Sequence, residues 1–128
     1  MQVIRAGDPE SGGAERFSGS AEIVRYLMTG DVDLGVDISS VRFPAGAQTR
    51  WHSHSQGQIL VVTKGFGHVT SRDGGRVDIG SGDVVVCPPD EWHWHGASAE
   101  AEMEHLSILP RFAGPNEALW NADGAVEG

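Results

Sequence analysis

The chain lacks most of what marks a secreted or membrane-spanning protein. It has one cysteine, Cys87, so no intrachain disulfide can form and nothing suggests a stapled extracellular scaffold. No apolar run approaches the ~20 residues needed to cross a bilayer. The first fifteen residues also lack the apolar core of a signal peptide. We therefore expect a soluble, cytoplasmic protein.

Positive charge is also scarce. Nine Lys and Arg residues stand against 18 Asp and Glu residues, which gives a net charge of −9. Nucleic acids and anionic membranes bind basic surfaces, because Lys and Arg neutralise their phosphates. We therefore expect neither as a partner, and a small, largely neutral molecule suits this charge best.

The composition favours short strands. The 128 residues suit a single domain, and 18 glycines and six prolines among many Val and Ile residues favour strands joined by tight turns. The predicted strands are 21–28, 34–43, 49–54, 58–64, 67–72, 76–79, 83–87, 93–96 and 103–109. This pattern predicts an all-β sandwich or small barrel.

The barrel is predicted to have two flanking segments. Residues 1–16 are polar and Gly-rich and form a flexible N-terminal arm, residues 17–110 form the barrel, and residues 111–128 form a C-terminal tail. A tight turn is predicted at residues 73–75. Within the tail, residues 115–120 are predicted to begin one helical turn, with Asn116 as its N-cap.

Two motifs bring together side chains that can bind a metal. They read Gly46-x5-His52-x-His54-x3-Gln58-x6-Gly65 and Gly82-x5-Pro88-x4-His93. Side chains alternate faces along a strand, so the imidazoles of a His-x-His pair point the same way. Imidazole suits Fe, Mn, Zn, Ni and Cu. The predicted metal ligands are His52, His54, Gln58 and His93.

Three further residues are candidates for proton transfer or substrate contact. His95 follows the last predicted ligand by two, so both rings share a face of a regular strand, and His105 lies inside the strand 103–109. Thr49 lies three residues before His52 and turns inward only if a bulge interrupts the strand. The residues alone leave other roles open, since His105 can be a packing residue, His95 can bind backbone, and Gln58 can merely orient an imidazole.

The two motifs resemble those of the cupin family. Residues 17–110 match it, with only sixteen residues between Gly65 and Gly82. The resemblance implies a double-stranded β-helix, or jelly-roll barrel, that holds one divalent metal ion. Gln58 stands where the family usually has Glu, and Asp90 where it usually has Gly. A neutral ligand leaves the ion its full charge, so the ion is a stronger Lewis acid, harder to oxidise and more weakly bound.

A narrower resemblance is to the small bacterial manganese-dependent cupins known as hydroxynitrile lyases. It implies that the metal is Mn, with Fe, Zn, Ni and Cu as alternatives. It also implies that His105 is the general base, that His95 is a polar wall or proton relay, and that a hydroxyl from Thr49 lies beside the substrate. The reaction would split a cyanohydrin into an aldehyde and HCN, with the metal as Lewis acid.

Other functions use the same residues. Many cupins are Fe- or Cu-dependent dioxygenases, and others are metal-dependent decarboxylases, isomerases or polyketide cyclases. A cupin that binds a small molecule without turnover is a further alternative, although it would not need His95 and His105 beside the metal. The resemblance also implies a homodimer.

Overall fold

The protein consists of strands. The computed structural model describes residues 1–28, 31, 33–72 and 75–121, and these hold twelve strands. The described residues contain no helix long and apolar enough to cross a membrane. The strands are β1 (Glu10–Ser11), β2 (Phe17–Ser18), β3 (Glu22–Leu27), β4 (Val36–Phe43), β5 (Gln48–Thr49), β6 (His52–His54), β7 (Gln58–Ser71), β8 (Gly75–Gly80), β9 (Val84–Cys87), β10 (His93–Ala97), β11 (Met103–Pro110) and β12 (Ala118–Trp120).

The strands form two antiparallel sheets that share β7. The first sheet has the order β1-β3-β4-β11-β7-β9, and the second has the order β2-β5-β10-β7-β8. Strand β6 pairs with β10, and β12 pairs with β6. The two sheets enclose one interior, as in a double-sheet jelly roll. This confirms the all-β barrel expected from the strand pattern.

Strand β7 is continuous where two strands were predicted. Its first half pairs with β9 and β11, and its second half pairs with β8 and β10. Gly65 lies at the change of sheet with φ of 78°, a left-handed conformation that favours glycine. A Cβ atom on Gly65 would lie 1.9 Å from the carbonyl oxygen of Glu102. The glycine therefore lets the strand turn the corner without ending.

The predicted strand 49–54 is interrupted. Residues 50 and 51 separate β5 from β6, and the amide of Arg50 donates to the carbonyl of Arg16 at 2.8 Å. The interruption resets the alternation of side chains, so that Thr49 is buried and lines the same cavity as His52. Asp90 has φ of 64°, a conformation open to Asp, and this explains why glycine is usual there in the family.

The prediction of a helical turn at residues 115–120 is wrong. Asn116 does not cap a helix; its amide donates to the carbonyl oxygens of Gly57 at 2.8 Å and Pro110 at 2.9 Å. These bonds hold the segment extended against the barrel, and β12 then pairs with β6. The strand therefore extends into the segment predicted as a tail.

Two predicted features lie outside the described residues. Residues 73 and 74 of the predicted turn are among them, although the strands that it joins pair at Ser71 and Gly75. Residues 122–128, the end of the predicted tail, are the others. The predicted N-terminal arm contains β1, which pairs with β3.

The apolar core fills part of the interior. Its members are Phe17, Ala21, Ile23, Val41, Phe43, Ala47, Val62, Ile79, Ala97 and Met103. Phe43 is fully buried, and its ring centroid lies 5.3 Å from that of His105 and 5.9 Å from that of His95. The core is therefore the floor against which the histidines pack.

Candidate metal centre

The strands place the predicted ligands together inside the barrel. Strands β6 and β10 are paired with His52 opposite His93, so imidazoles from the two motifs meet directly. Their ring centroids are 4.4 Å apart. The buried polar side chains of this region are Thr49, His52, His54, Gln58, His93, His95, His105 and Ser107.

Backbone carbonyls set the orientation of two imidazoles. Nδ1 of His52 bonds the carbonyl oxygen of Arg50 at 2.8 Å, and Nδ1 of His93 bonds that of Glu91 at 2.9 Å. Because a carbonyl only accepts, each Nδ1 carries the hydrogen and each Nε2 keeps a lone pair. Both histidines are therefore held in the tautomer that binds a metal through Nε2.

Gln58 directs its side-chain oxygen toward Nε2 of His93. Its Nε2 donates to Oγ of Ser107 at 2.8 Å, which turns Oε1 toward Nε2 of His93 at 3.1 Å. Two lone pairs that face each other repel unless a cation lies beside both. Adjacent ligands on an ion with bonds of ~2.1 Å are separated by ~3.0 Å, close to this spacing. The residues present therefore fit a divalent metal ion.

His54 belongs to the cluster less tightly. Its ring centroid is 5.0 Å from that of His52 and 5.9 Å from that of His93. Both of its nitrogens are buried and have no hydrogen-bond partner among the residues that the structure describes. Buried polar atoms without partners are rare, and a metal ion would supply the missing contact. Within the described residues, the three histidines whose ligand atoms all lie within 4.8 Å of one another are His52, His93 and His95.

His95 and His105 form a buried pair. Nε2 of His105 lies 3.0 Å from Nδ1 of His95. Within the described part of the chain, Nε2 of His95 and Nδ1 of His105 have no hydrogen-bond partner. The amide of His95 donates to Oγ1 of Thr49 at 3.1 Å. The pair can pass a proton from one ring to the other, and the hydroxyl hydrogen of Thr49 stays available to a ligand.

Burial keeps these imidazoles neutral. It lowers the pKa of His54 to about 4 and that of His105 to about 4. Burial, together with the neighbouring His93 and His54, holds the pKa of His52 well below its usual range. Burial likewise lowers the pKa of His93, against the opposing effect of Glu91. Neutral imidazole is the form that binds metals and accepts protons.

A small cavity reaches the cluster. Its volume is about 110 Å³, and among the residues that line it are His52, His54, Gln58, His95, His105 and Thr49. The indole of Trp120 on β12 stacks on His52 with ring centroids 4.4 Å apart. A larger groove of about 780 Å³ lies between the N-terminal segment and β3 and β4, and its lining contains no histidine among the described residues. The smaller cavity is therefore the candidate active site.

The sequence predictions missed some residues of the site. The bond between Ser107 and Gln58 was not predicted. Trp120 was not among the predicted site residues, yet it lines the cavity. Arg16 and Arg25 also line the cavity, and no local motif singles them out.

Comparison with known proteins agrees with this geometry. The Cupin domain family matches residues 39–109, and the chain belongs to the cupin family, as a small single-domain member. It is 43% identical over 117 residues to the (R)-mandelonitrile lyase of Granulicella tundricola, which covers 89% of this chain and 88% of that protein.

Two other similarities are informative. The crystal structure of a cupin-like protein from Thermotoga maritima superposes with a TM-score of 0.84 at 32% identity, over 99% of this chain and 92% of that one. Gentisate 1,2 dioxygenase 1 of Aquipseudomonas alcaligenes is 40% identical over 52 residues, or 41% of this chain and 15% of that protein. The similarity to the lyase thus extends along nearly the whole chain, whereas that to the dioxygenase is local.

Proposed function

We propose that the protein is a metal-dependent lyase of the hydroxynitrile type, which splits a cyanohydrin into an aldehyde and HCN. The observation that carries the proposal is the buried His95–His105 pair beside the metal-binding imidazoles, since proton transfer is what this reaction needs. The similarity to (R)-mandelonitrile lyase supports the same reaction. A purely binding protein would have no use for the pair.

The metal ligands in this proposal are His52, His54, Gln58 and His93. All four donor groups are neutral, and we propose Mn²⁺ as the ion, because nothing in the reaction requires a change of oxidation state. When bound, the ion supplies Lewis-acid polarisation of the substrate. His95 is the alternative fourth ligand, because its ligand atom lies within 4.8 Å of those of His52 and His93.

The protein residues move the proton. A neutral His105, or its partner His95, accepts the hydroxyl proton of the cyanohydrin while the carbon–carbon bond breaks. The electron pair of that bond leaves with cyanide, and the imidazole pair returns the proton to give HCN. The hydroxyl of Thr49 can donate to the substrate oxygen, because its own oxygen already accepts from the amide of His95. Phe43 and Trp120 pack against the imidazoles and limit the access of water.

The test is cleavage of mandelonitrile by Mn-loaded protein, followed as benzaldehyde release, with chelator-treated protein as the blank. We expect His105→Ala to lower kcat by about 10²–10⁴-fold, the usual contribution of a general base, with the metal content unchanged. His68→Ala is the matched control, because His68 is another buried histidine that does not line the cavity.

Two results would count against the proposal. Release no faster than in the chelated blank would exclude the lyase reaction. Metal-dependent release that is equally fast in His105→Ala and His68→Ala would exclude His105 as the base.

Dioxygenase activity is the second candidate, and the local similarity to a gentisate dioxygenase favours it. It would use the same imidazoles with a redox-active ion. Oxygen uptake by Fe-loaded protein in the presence of gentisate tests it directly. Uptake that depends on His52 would support this activity, and none above the metal-free rate would exclude it for this substrate.

We also propose a homodimer formed through the outside of the first sheet. The strand register aligns an outer aliphatic face made of Ile59, Val61, Val84, Val86, Leu106 and Ile108. Val84 is 59% exposed and Val86 70% exposed, which is unusual for a contiguous apolar surface. Sedimentation should show a dimer that Val86→Glu dissociates and Val77→Glu does not, since Val77 is exposed elsewhere, on β8. A monomeric wild-type protein would contradict this.

A further inference from the structure

We propose that the substrate carries a carboxylate, which Arg16 and Arg25 bind at the open end of the cavity. The inference rests on the proposed function, because it names the class of molecule that the same site accepts. It makes the natural substrate a small aromatic or branched aliphatic cyanohydrin that bears a second, anionic group.

The charge of the cavity lining is the first observation. Two arginines line the cavity, and no aspartate or glutamate lies among the described residues that do so. In the whole chain acidic residues outnumber basic ones by 18 to 9, whereas the lining keeps a positive charge on Arg16 even after Glu10 offsets that of Arg25. A bound divalent ion would make this interior still more positive. Such a cavity favours an anion over a neutral molecule of the same shape.

Arg16 is held by its backbone while its side chain stays free. Its amide donates to the carbonyl of Gly13 at 3.3 Å, and its carbonyl accepts from the amide of Arg50 at 2.8 Å. Its exposed guanidinium makes no hydrogen bond or ion pair with any residue that the structure describes. The residue thus has a defined position at the rim and all its donors available.

Arg25 occupies an unusual position for a charged residue. It lies two residues after the core residue Ile23 on β3, on the face that lines the cavity. Its Nε pairs with Glu10 of β1, and its side chain stays 41% exposed. The two terminal nitrogens have no partner among the described residues. The contact with Glu10 fixes the guanidinium and leaves its two terminal nitrogens available to a ligand.

The size of the cavity limits how much of the substrate can lie inside it. A volume of about 110 Å³ is somewhat smaller than the ~150 Å³ of an engineered cavity that accepts benzene. The interior thus holds at most one small ring or a short branched chain. Any further group of the substrate must sit at the rim, where the guanidinium groups match a carboxylate geometrically, with two parallel hydrogen bonds.

Binding without turnover tests this separately from the lyase reaction. Calorimetry would compare 2-, 3- and 4-(hydroxymethyl)benzoate with benzyl alcohol on Mn-loaded and metal-free protein. We expect at least one isomer to bind about tenfold tighter than the neutral alcohol. The preference should persist in metal-free protein and weaken as salt is raised.

The variants identify the residues responsible. Arg16→Gln should remove most of the preference, and Arg25→Gln should also reduce it. Arg76→Gln, which removes a charge from exposed β8, is the matched control and should keep it. Thermal unfolding would verify that Arg25→Gln folds, and Arg16 is exposed enough for its variant to serve alone if it does not.

Three outcomes would overturn the proposal. These are no isomer binding more tightly than benzyl alcohol, a preference that survives in Arg16→Gln, and a preference that disappears with the metal. The last would mean that the ion itself binds the carboxylate. None of them depends on whether mandelonitrile is cleaved, so the lyase proposal stands or falls by its own test.

Discussion

The interior of the barrel has an apolar part and a histidine part, which differ in whether their buried polar atoms have hydrogen-bond partners. In the apolar part, Val41, Phe43, Val62 and Met103 are buried against one another and carry no polar side-chain atom that needs a hydrogen bond. In the histidine part, four buried ring nitrogens of His54, His95 and His105 have no hydrogen-bond partner among the described residues. Burial of polar groups without partners opposes folding. Packing in the apolar part must therefore compensate for the unfavourable free energy of burying these nitrogens.

This contrast separates the residues that stabilise the barrel from those of the candidate site. Phe43 touches both parts, since its ring packs on Phe17 on one side and on His105 on the other. The same side chain thus stabilises the core and positions the proton-transfer pair. Changes in the apolar part should reduce stability, whereas changes in the histidine part should reduce metal binding or turnover.

The largest effect is expected from a substitution in the apolar part. Phe43→Ala should lower the free energy of unfolding by about 3–5 kcal/mol, because it leaves a cavity beneath the histidines. His54→Leu should leave the stability of metal-free protein equal or higher, since it removes two unpartnered buried nitrogens. It should also abolish the stabilisation that Mn²⁺ gives. Urea unfolding with and without metal measures both, and a comparable loss in the two metal-free variants would contradict the distinction.

The pH dependence of stability should come from the histidine part. Burial lowers the pKa of His54 from 6.5 to about 4, so the unfolded chain binds more protons between these values. The part of the free energy of unfolding that depends on His54 is therefore fully present above pH 6.5 and is lost as the pH falls toward 4. A shift of this size corresponds to about 3 kcal/mol, most of it lost above the range where carboxylates titrate.

Urea unfolding of metal-free protein between pH 7.5 and 5 measures this loss. His54→Leu should flatten the curve, and His68→Ala should flatten it less, because burial lowers the pKa of His54 further than that of His68. Identical slopes in wild type and His54→Leu would show that another group is responsible.

The smallest effect should come from the contact that orients Gln58. Ser107→Ala removes the acceptor of its amide, so the oxygen is less firmly directed at the ion. We expect the Kd for Mn²⁺ to rise about 10–100-fold, the usual cost of losing a residue that orients a metal ligand. Ser107→Thr should restore most of the affinity, and Ser53→Ala, at a buried serine on β6, should not change it. Equal losses in the two alanine variants would contradict the role of Ser107.

The sequence predicted much of this arrangement because its signals are local. Alternating apolar residues indicated the strands, and the spacing of His52, His54, Gln58 and His93 indicated a metal site. What it missed depends on contacts between distant segments. The helical turn at 115–120 was wrong because Asn116 bonds the carbonyls of Gly57 and Pro110, which lie elsewhere in the chain.

The cavity rim was missed for the same reason. Arg16 and Arg25 reach the site through the pairing of β2 with β5 and of β3 with β4, and no motif marks them. Thr49 was placed inside only on the condition of a bulge, and the break between β5 and β6 supplies an equivalent interruption.

Strand β12 has a practical consequence for anyone who produces the protein. Trp120 lines the cavity and stacks on His52, and the amide of Asn121 donates to the carbonyl of Trp51. A polyhistidine tag attached directly after Asn121 would bring competing imidazoles close to the metal site. The choice of expression vector therefore bears on which metal the isolated enzyme carries.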